Sequence, residues 1–331
     1  MRLQFPPRIQ LGHLPTPIHH LPRLSRLLAG PDLYVKRDDL TGFALSGNKV
    51  RKLEFVIAEA LRREATVLIT CGGLHSNHAR ATAVAAARLG LKCHLLLRGT
   101  PQRVYDGNAL IDRLVGAELD FITPEQYYGQ RDAIMMAKAA ELQRQGERAY
   151  VIPEGASNAL GAVGYVQAGQ EIALQQKELG VQFDAVVFAV GSGGTYAGLF
   201  LASRMAGLKA RVVGINVCDT AAYFVERIGG IVEEFRARFQ VRLKYAPEEF
   251  EIIDGYVGGG YGVSRPEELA LICEVARSEG LLLDPVYTGK AMYGLVDQIR
   301  QGRFRAGDKV LFLHTGGGFD LFPLREELSG R

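Results

Sequence analysis

An α/β fold is predicted, with a parallel sheet carrying helices on both faces, and three observations predict it. From residue 66 onward, short β-rich runs alternate with helical patterns. The chain has 331 residues, more than one ordinary core serves, so two lobes with a cleft between them or one large domain are expected. Glycine-rich corners follow several candidate strands, at the carboxyl ends where open α/β sheets place their ligands.

The elements follow in order. Residues 33–40 read as an alternating strand and a turn, after which Ser46, Gly47, Asn48 and Lys49 open a helix with Val50, Leu53, Ile57 and Leu61 on one face. Strands are then predicted over 66–70, 93–97, 118–122, 149–152, 185–190, 211–217 and 310–314. Helices are predicted over 77–89, with an alanine-rich face, and over 132–145, where Ile134, Ala137 and Leu142 form a stripe. No repeat, low-complexity stretch or Pro/Gly/Ser linker interrupts them, so a domain boundary must be a hinge within compact structure, near Gly47 and Gly161.

Lys49 falls in the first turn of its helix, beside the positive end of the dipole, where a neutral amine is favoured over an ammonium. A neutral amine is what condensation with an aldehyde requires. On position alone a solvated surface lysine is the commoner case, so the other corners supply the context. The strand over 185–190 runs into Gly191, Ser192, Gly193, Gly194 and Thr195 and then a helix, which gathers backbone N–H groups and the dipole onto one anion pocket. A dinucleotide fingerprint would need glycine where Tyr196 stands, although Asp219 does follow the next strand. After the 66–70 strand come His75, Ser76, Asn77 and His78; capping explains each singly but not their concentration. Tyr261 among glycines 258–262, and Tyr287 in the segment 284–290, are expected to face a cleft, and His314 and Thr315 lead a last glycine corner.

Hydrophobic residues make up 47% and charged residues 23%, with a net charge of +3 and no basic run long enough to follow a nucleic-acid backbone. Nucleic acid is therefore not an expected partner. No apolar run reaches the ~18 residues of a bilayer span, and the first residues lack a secretory apolar stretch. Cys71, Cys93, Cys218 and Cys273 show no Cys-x-x-Cys spacing, so reduced thiols, no metal site and a cytoplasmic location are expected.

Taken together, Leu14 to Pro17, Lys36 to Asp39, Gly47 to Lys49, Ser76 to His78, Asp284 to Lys290 and Thr315 to Gly317 occur in order and at matching separations along almost the whole chain. This set resembles the fold-type-II pyridoxal-phosphate enzymes grouped as 1-aminocyclopropane-1-carboxylate deaminase and D-cysteine desulfhydrase. The resemblance implies two open, twisted, mostly parallel sheets flanked by helices, with cofactor in the cleft. The larger domain would comprise 1–51 and 162–331, the smaller 52–161. By the same resemblance Lys49 carries pyridoxal 5'-phosphate as a Schiff base and shuttles a proton, and Asn77 contacts the ring. Gly191, Ser192, Gly193, Gly194 and Thr195 take the phosphate, and Thr288 and Thr315 complete the cofactor contacts. Ser76, Asn77, His78, Tyr261 and Tyr287 face a small amino-acid substrate, with Ser76 and the two tyrosines catalytic beside Lys49. A homodimer is implied as well.

Two departures bear on the substrate. The deaminase has glutamate, pairing with the pyridine nitrogen, where this chain has Thr288, and a hydroxyl keeps the ring a weaker electron sink. Elimination of a thiolate needs less of that sink than opening a cyclopropane, so D-cysteine is the expected substrate, yielding pyruvate, ammonia and hydrogen sulfide. His75 stands where relatives carry glutamine. The rivals are the cyclopropane deaminase and an L-cysteate sulfo-lyase, whose sulfonate His75 or His78 would meet. From other classes come a nucleotide-dependent oxidoreductase using 191–195 with Asp219, and a non-catalytic binding protein on the same scaffold.

Overall fold

The computed structural model describes residues 4–330. Its strands, in chain order, are β1 (Ile18–His20) and β2 (Asp32–Arg37); then β3 (Val67–Gly73), β4 (Lys92–Arg98), β5 (Glu118–Ile122) and β6 (Ala149–Val151). They continue with β7 (Ala185–Val190), β8 (Arg211–Asn216), β9 (Glu251–Ile253) and β10 (Lys309–His314). Two sheets result. The larger has the order β1-β2-β10-β7-β8-β9 and the smaller β5-β4-β3-β6. Only β1, paired antiparallel to β2, departs from parallel pairing. Parallel strands need crossover helices on their faces, which is why β3, β7 and β10 are apolar on both sides and almost wholly buried.

Three apolar clusters follow from having two sheets with two faces each. One runs without a break from Leu68 and Leu95 of the smaller sheet to Phe188 and Leu311 of the larger, through the helices Lys49–Arg62 and Ala159–Leu179. The other two cover the far face of each sheet. The two helices meet closely: a Cβ on Gly164 would stand 2.3 Å from the Arg51 carbonyl oxygen. The inner helix that begins at Lys49 is therefore held along its length between the sheets.

The predicted α/β class stands, with the predicted strands in place to within a few residues. The three-residue strands β1 and β9 were not foreseen. The helix expected over 132–145 is Pro124–Arg144, opened by Thr123 and Gln126 in a reciprocal capping box. Among the described residues no helix is long and apolar enough to cross a membrane, and none of the four cysteines is paired.

Candidate functional site

The carboxyl ends of β3, β4 and β7 and the turn after β10 open onto one cavity, whose lining includes Lys49, Asn77, Arg98, Gly191, Tyr287 and Thr315. Lys49 reaches it because the preceding turn is pinned from two sides. Gly47 donates its N–H to the Asp38 carbonyl at 3.0 Å, and Asn48 donates its own to the Thr315 carbonyl at 3.0 Å. Gly47 has φ of +102°, and a Cβ there would stand 2.7 Å from the Thr315 oxygen, so this close approach requires glycine. Lys49 Nζ donates to Asn48 Oδ1 at 3.1 Å and lies 5.8 Å from the centre of the Tyr287 ring. Burial lowers its pKa to about 8, against the opposing fields of Glu154 and Asp284. The neutral amine is thus far more accessible than in an ordinary lysine, with burial as the chief cause.

At another part of the wall, Gly193 begins the helix Gly194–Met205 with no side-chain cap, which leaves N–H groups of the first turn for a ligand. Hydroxyls gather there: Ser157 and Ser192 share a hydrogen bond of 2.9 Å, and Thr195 Oγ1 accepts from Asn48 Nδ2 at 3.0 Å. Behind them lies Lys52, fully buried, donating to the Gly155 carbonyl at 3.1 Å and Ser157 Oγ at 3.3 Å. Among the described residues it has no carboxylate partner. Burial, with the nearby Lys49 and Arg227, holds its pKa well below the usual lysine range. An anion seated on this turn would give that amine a counter-charge.

Tyr261 and Tyr287 pair through their hydroxyls at 2.8 Å. Burial pushes both phenols well above their ordinary pKa, so both stay protonated, and one O–H of the pair remains free to donate to a ligand. Arg98 lies 4.7 Å from the centre of the Tyr261 ring and donates to the Tyr128 hydroxyl, with no ion pair among the described residues. Ser76 Oγ accepts the Ala79 N–H at 3.1 Å as an ordinary N-cap, which leaves its own proton to donate. His78 lines the cavity, but its Nε2 is 2.7 Å from Thr70 Oγ1, and burial keeps the ring neutral.

The predicted residues Lys49, Ser76, Asn77, His78, Tyr261, Tyr287 and Thr315 come together here with Gly191, Ser192, Gly193 and Thr195. Gly194 stands just behind, giving its N–H to Ser157 Oγ at 3.2 Å. Thr288 is outside the lining. It is fully buried, and its hydroxyl donates to Asp284 Oδ1 at 2.6 Å and accepts the Asp284 N–H at 2.8 Å, so it closes its own turn. Sequence reasoning missed Lys52, Arg98, Glu154 and Cys218. For Arg98 the signal was its place at a strand's carboxyl end; for Lys52 it was a charge beside the apolar face of a core helix.

Pyridoxal phosphate carries an aldehyde, a phenol on an aromatic ring and a phosphate, and the residues present fit all three. Lys49 supplies an amine of lowered basicity, Asn77 an amide in the lining of the same cavity, and the uncapped turn at Gly193 with Ser192, Thr195 and Lys52 an anion seat. A family model described as pyridoxal-phosphate dependent enzyme matches residues 9–316. The chain is 45% identical to a provisionally named 1-aminocyclopropane-1-carboxylate deaminase of Pyrococcus abyssi, covering 97% of this chain and 95% of that one. It is 43% identical to the bifunctional D-cysteine desulfhydrase/1-aminocyclopropane-1-carboxylate deaminase, mitochondrial, of Arabidopsis thaliana, covering 96% and 80%. A crystal structure described as an ACC deaminase homologue superposes with a TM-score of 0.90 at 40% identity, covering 99% of this chain and 96% of that one. These matches set aside the dinucleotide reading of the 191–195 loop. The chain belongs to the pyridoxal-phosphate-dependent family of 1-aminocyclopropane-1-carboxylate deaminases and D-cysteine desulfhydrases, with the fold-type-II architecture.

Proposed function

We propose that this enzyme is a β-eliminating lyase whose preferred substrate is D-cysteine, converted with one water to pyruvate, ammonia and hydrogen sulfide. The carrying observation is the 284–288 turn. Position 288 holds a hydroxyl, and the nearby Asp284 carboxylate is consumed by the N–H groups of Val286, Tyr287 and Thr288 and by the Thr288 hydroxyl. No carboxylate is left in that turn to keep a pyridine nitrogen cationic, which suits expulsion of a good leaving group better than opening a strained carbocycle.

The residues then have these roles. The anion seat at 192–195 with Lys52 holds the phosphate, and Asn77 and Thr315 meet the ring. When bound, the cofactor supplies an electron-withdrawing system that acidifies the substrate's α-hydrogen. Lys49 Nζ takes that proton as a neutral amine. Ser76 Oγ donates its free proton to the substrate carboxylate, and the free O–H of the tyrosine pair donates a hydrogen bond to the departing sulfur. With pKa values pushed upward, the two phenols keep their protons and act by hydrogen bonding.

Below pH 8 each unit of acidity cuts the neutral amine about tenfold. Covalent capture of pyridoxal phosphate by the stripped chain is therefore expected to accelerate with pH up to about 8 and then level off. Stopped-flow absorbance checks this, and a rate still climbing in proportion up to pH 10 would show an ordinary lysine.

A specific observation favours a second reading, L-cysteate. The histidines first considered for its sulfonate are engaged, His75 with Asp320 and His78 with Thr70, but Arg98 offers a half-buried guanidinium with no ion pair among the described residues. A panel of D-cysteine, L-cysteate, β-chloro-D-alanine and 1-aminocyclopropane-1-carboxylate, assayed for keto acid, decides. Highest turnover on D-cysteine is expected; 2-oxobutyrate from the cyclopropane substrate would overturn the argument from the 284–288 turn. A homodimer and the domain division at 52 and 161 are proposed on the same resemblance, the two sheets supporting the division.

A further inference from the structure

Behind the cavity, buried polar groups connect Asn77 to the turn after β10. Arg80, Asn108 and Asp320 are buried to within 1%. Arg80 Nε donates to Asn108 Oδ1 at 2.6 Å, and its Nη2 donates to the Ser46 carbonyl at 3.0 Å and Asn77 Oδ1 at 3.4 Å. Asn108 Nδ2 has only acceptors around it: Asn77 Oδ1 at 3.1 Å, the His75 carbonyl at 3.1 Å and Asp320 Oδ2 at 3.0 Å. Asp320 Oδ1 faces His75 Nδ1 at 3.2 Å.

The polarity of this chain of contacts is determined at one end. A guanidinium has no acceptor, so the Asn108 atom facing Arg80 must be oxygen. Asn108 then has to present its NH2 to Asn77 and Asp320, and the inward atom of Asn77 has to be its own oxygen. Only the Nδ2 group of Asn77 is left for the cavity. We infer that Arg80 and Asn108 are positioning residues whose hydrogen-bond polarity obliges Asn77 to offer a donor to the cavity, and hence to select an acceptor atom on the bound pyridoxal ring. The inference rests on the proposal that Asn77 meets that ring. A carboxamide free to turn over would present oxygen as readily as NH2, and oxygen would repel a ring phenolate.

Isosteric changes reverse the relay. In Asn108→Asp the new carboxylate still accepts from Arg80 but confronts Asn77 Oδ1, the His75 carbonyl and Asp320, so Asn77 turns its amide over and gives up its long 3.4 Å contact with Arg80 Nη2. That variant also brings two carboxylates together, and it is expected to lose stability. The double variant Asn108→Asp/Asp320→Asn restores a donor opposite the new carboxylate and keeps the charge of the network, while Asn77 stays reversed. The expected result has two parts: the double variant recovers most of the melting temperature lost by Asn108→Asp, yet binds pyridoxal phosphate about 30-fold more weakly than the parent, with a displaced absorption maximum. Titration of the stripped full-length chains with pyridoxal phosphate, alongside thermal melts, reads both. A double variant that binds the cofactor with parental affinity and spectrum, or that melts as low as Asn108→Asp, overturns the relay. Inactivity of the parent on D-cysteine would instead count against the proposed reaction, because the titration involves no substrate.

Discussion

Replacing Lys49 by alanine is expected to abolish the violet-edge absorbance of bound cofactor and to lower turnover by about four orders of magnitude or more, with little change in the thermal stability of the cofactor-free chain. The catalytic loss is large because one amine serves as both attachment point and proton acceptor. Stability should hold because the group removed is a lysine whose charged form burial already disfavours. The sharp competitor is Lys52, three residues along the same helix, also buried and also of lowered basicity. Its Nζ is turned toward Gly155 and Ser157, on the anion side of the cavity. Borohydride reduction of the parent followed by peptide mapping separates the two lysines. A label on Lys52, or a Lys49→Ala variant that releases pyruvate at the parental rate, would remove the basis of the assignment.

What the sequence made legible follows from how each feature is encoded. The central strands are runs of apolar residues buried on both faces, and such runs are visible without tertiary information; β3, β7 and β10 were found for this reason. β1 and β9 have three residues each with only one and two apolar side chains, too few to show a run, whereas the equally short edge strand β6 is wholly apolar, continues into Ile152 and was found. The helix Pro124–Arg144 buries only Tyr127, Met135 and Leu142, so its stripe is thin and the prediction began only at residue 132. Thr123, Pro124 and Gln126 nevertheless spell out the start.

In the site, glycine corners and ordered motifs brought Lys49, Ser76, Asn77, Tyr261, Tyr287 and Thr315 to one cavity, because turn chemistry is local. Lys52, Arg98 and the Arg80–Asn108–Asp320 relay are ordinary charged or polar residues whose meaning comes only from burial, and burial is a property of the assembled fold. Thr288 shows the converse. Its neighbour in sequence, Tyr287, lines the cavity, but one residue further on the chain has entered a helix and the hydroxyl turns back to Asp284.

Arg51→Met is expected to cost about 3–5 kcal/mol of stability at neutral pH, the loss typical of breaking a buried ion pair from one side. Arg51 grips Asp38 with two hydrogen bonds of 2.8 Å and Glu171 with bonds of 2.9 and 3.0 Å. Asp38 is wholly buried, and without Arg51 it keeps the Tyr165 hydroxyl at 2.6 Å and the Thr16 hydroxyl at 2.8 Å. Burial alone would raise the Asp38 pKa; Arg51 overcomes this and holds it below the usual carboxylate range. In the parent, then, the pair's stabilisation is complete above the unfolded carboxylate value and is lost as pH falls through the still lower folded one. In the variant burial is opposed only by the field of Lys36 and the hydroxyls that remain, Asp38 takes up a proton at higher pH than in the parent, and the penalty relative to the parent should shrink as pH is lowered from 7 toward 5. Urea denaturation at both pH values and one fixed cofactor concentration measures this, since cofactor stabilises by mass action. An equal loss at both pH values would mean that Arg51 matters for its packing and not for its charge. The effect should reach the site too: the Asp38 carbonyl receives the Gly47 N–H that sets the turn before Lys49, so a loosened Asp38 should weaken cofactor retention in the same pH direction.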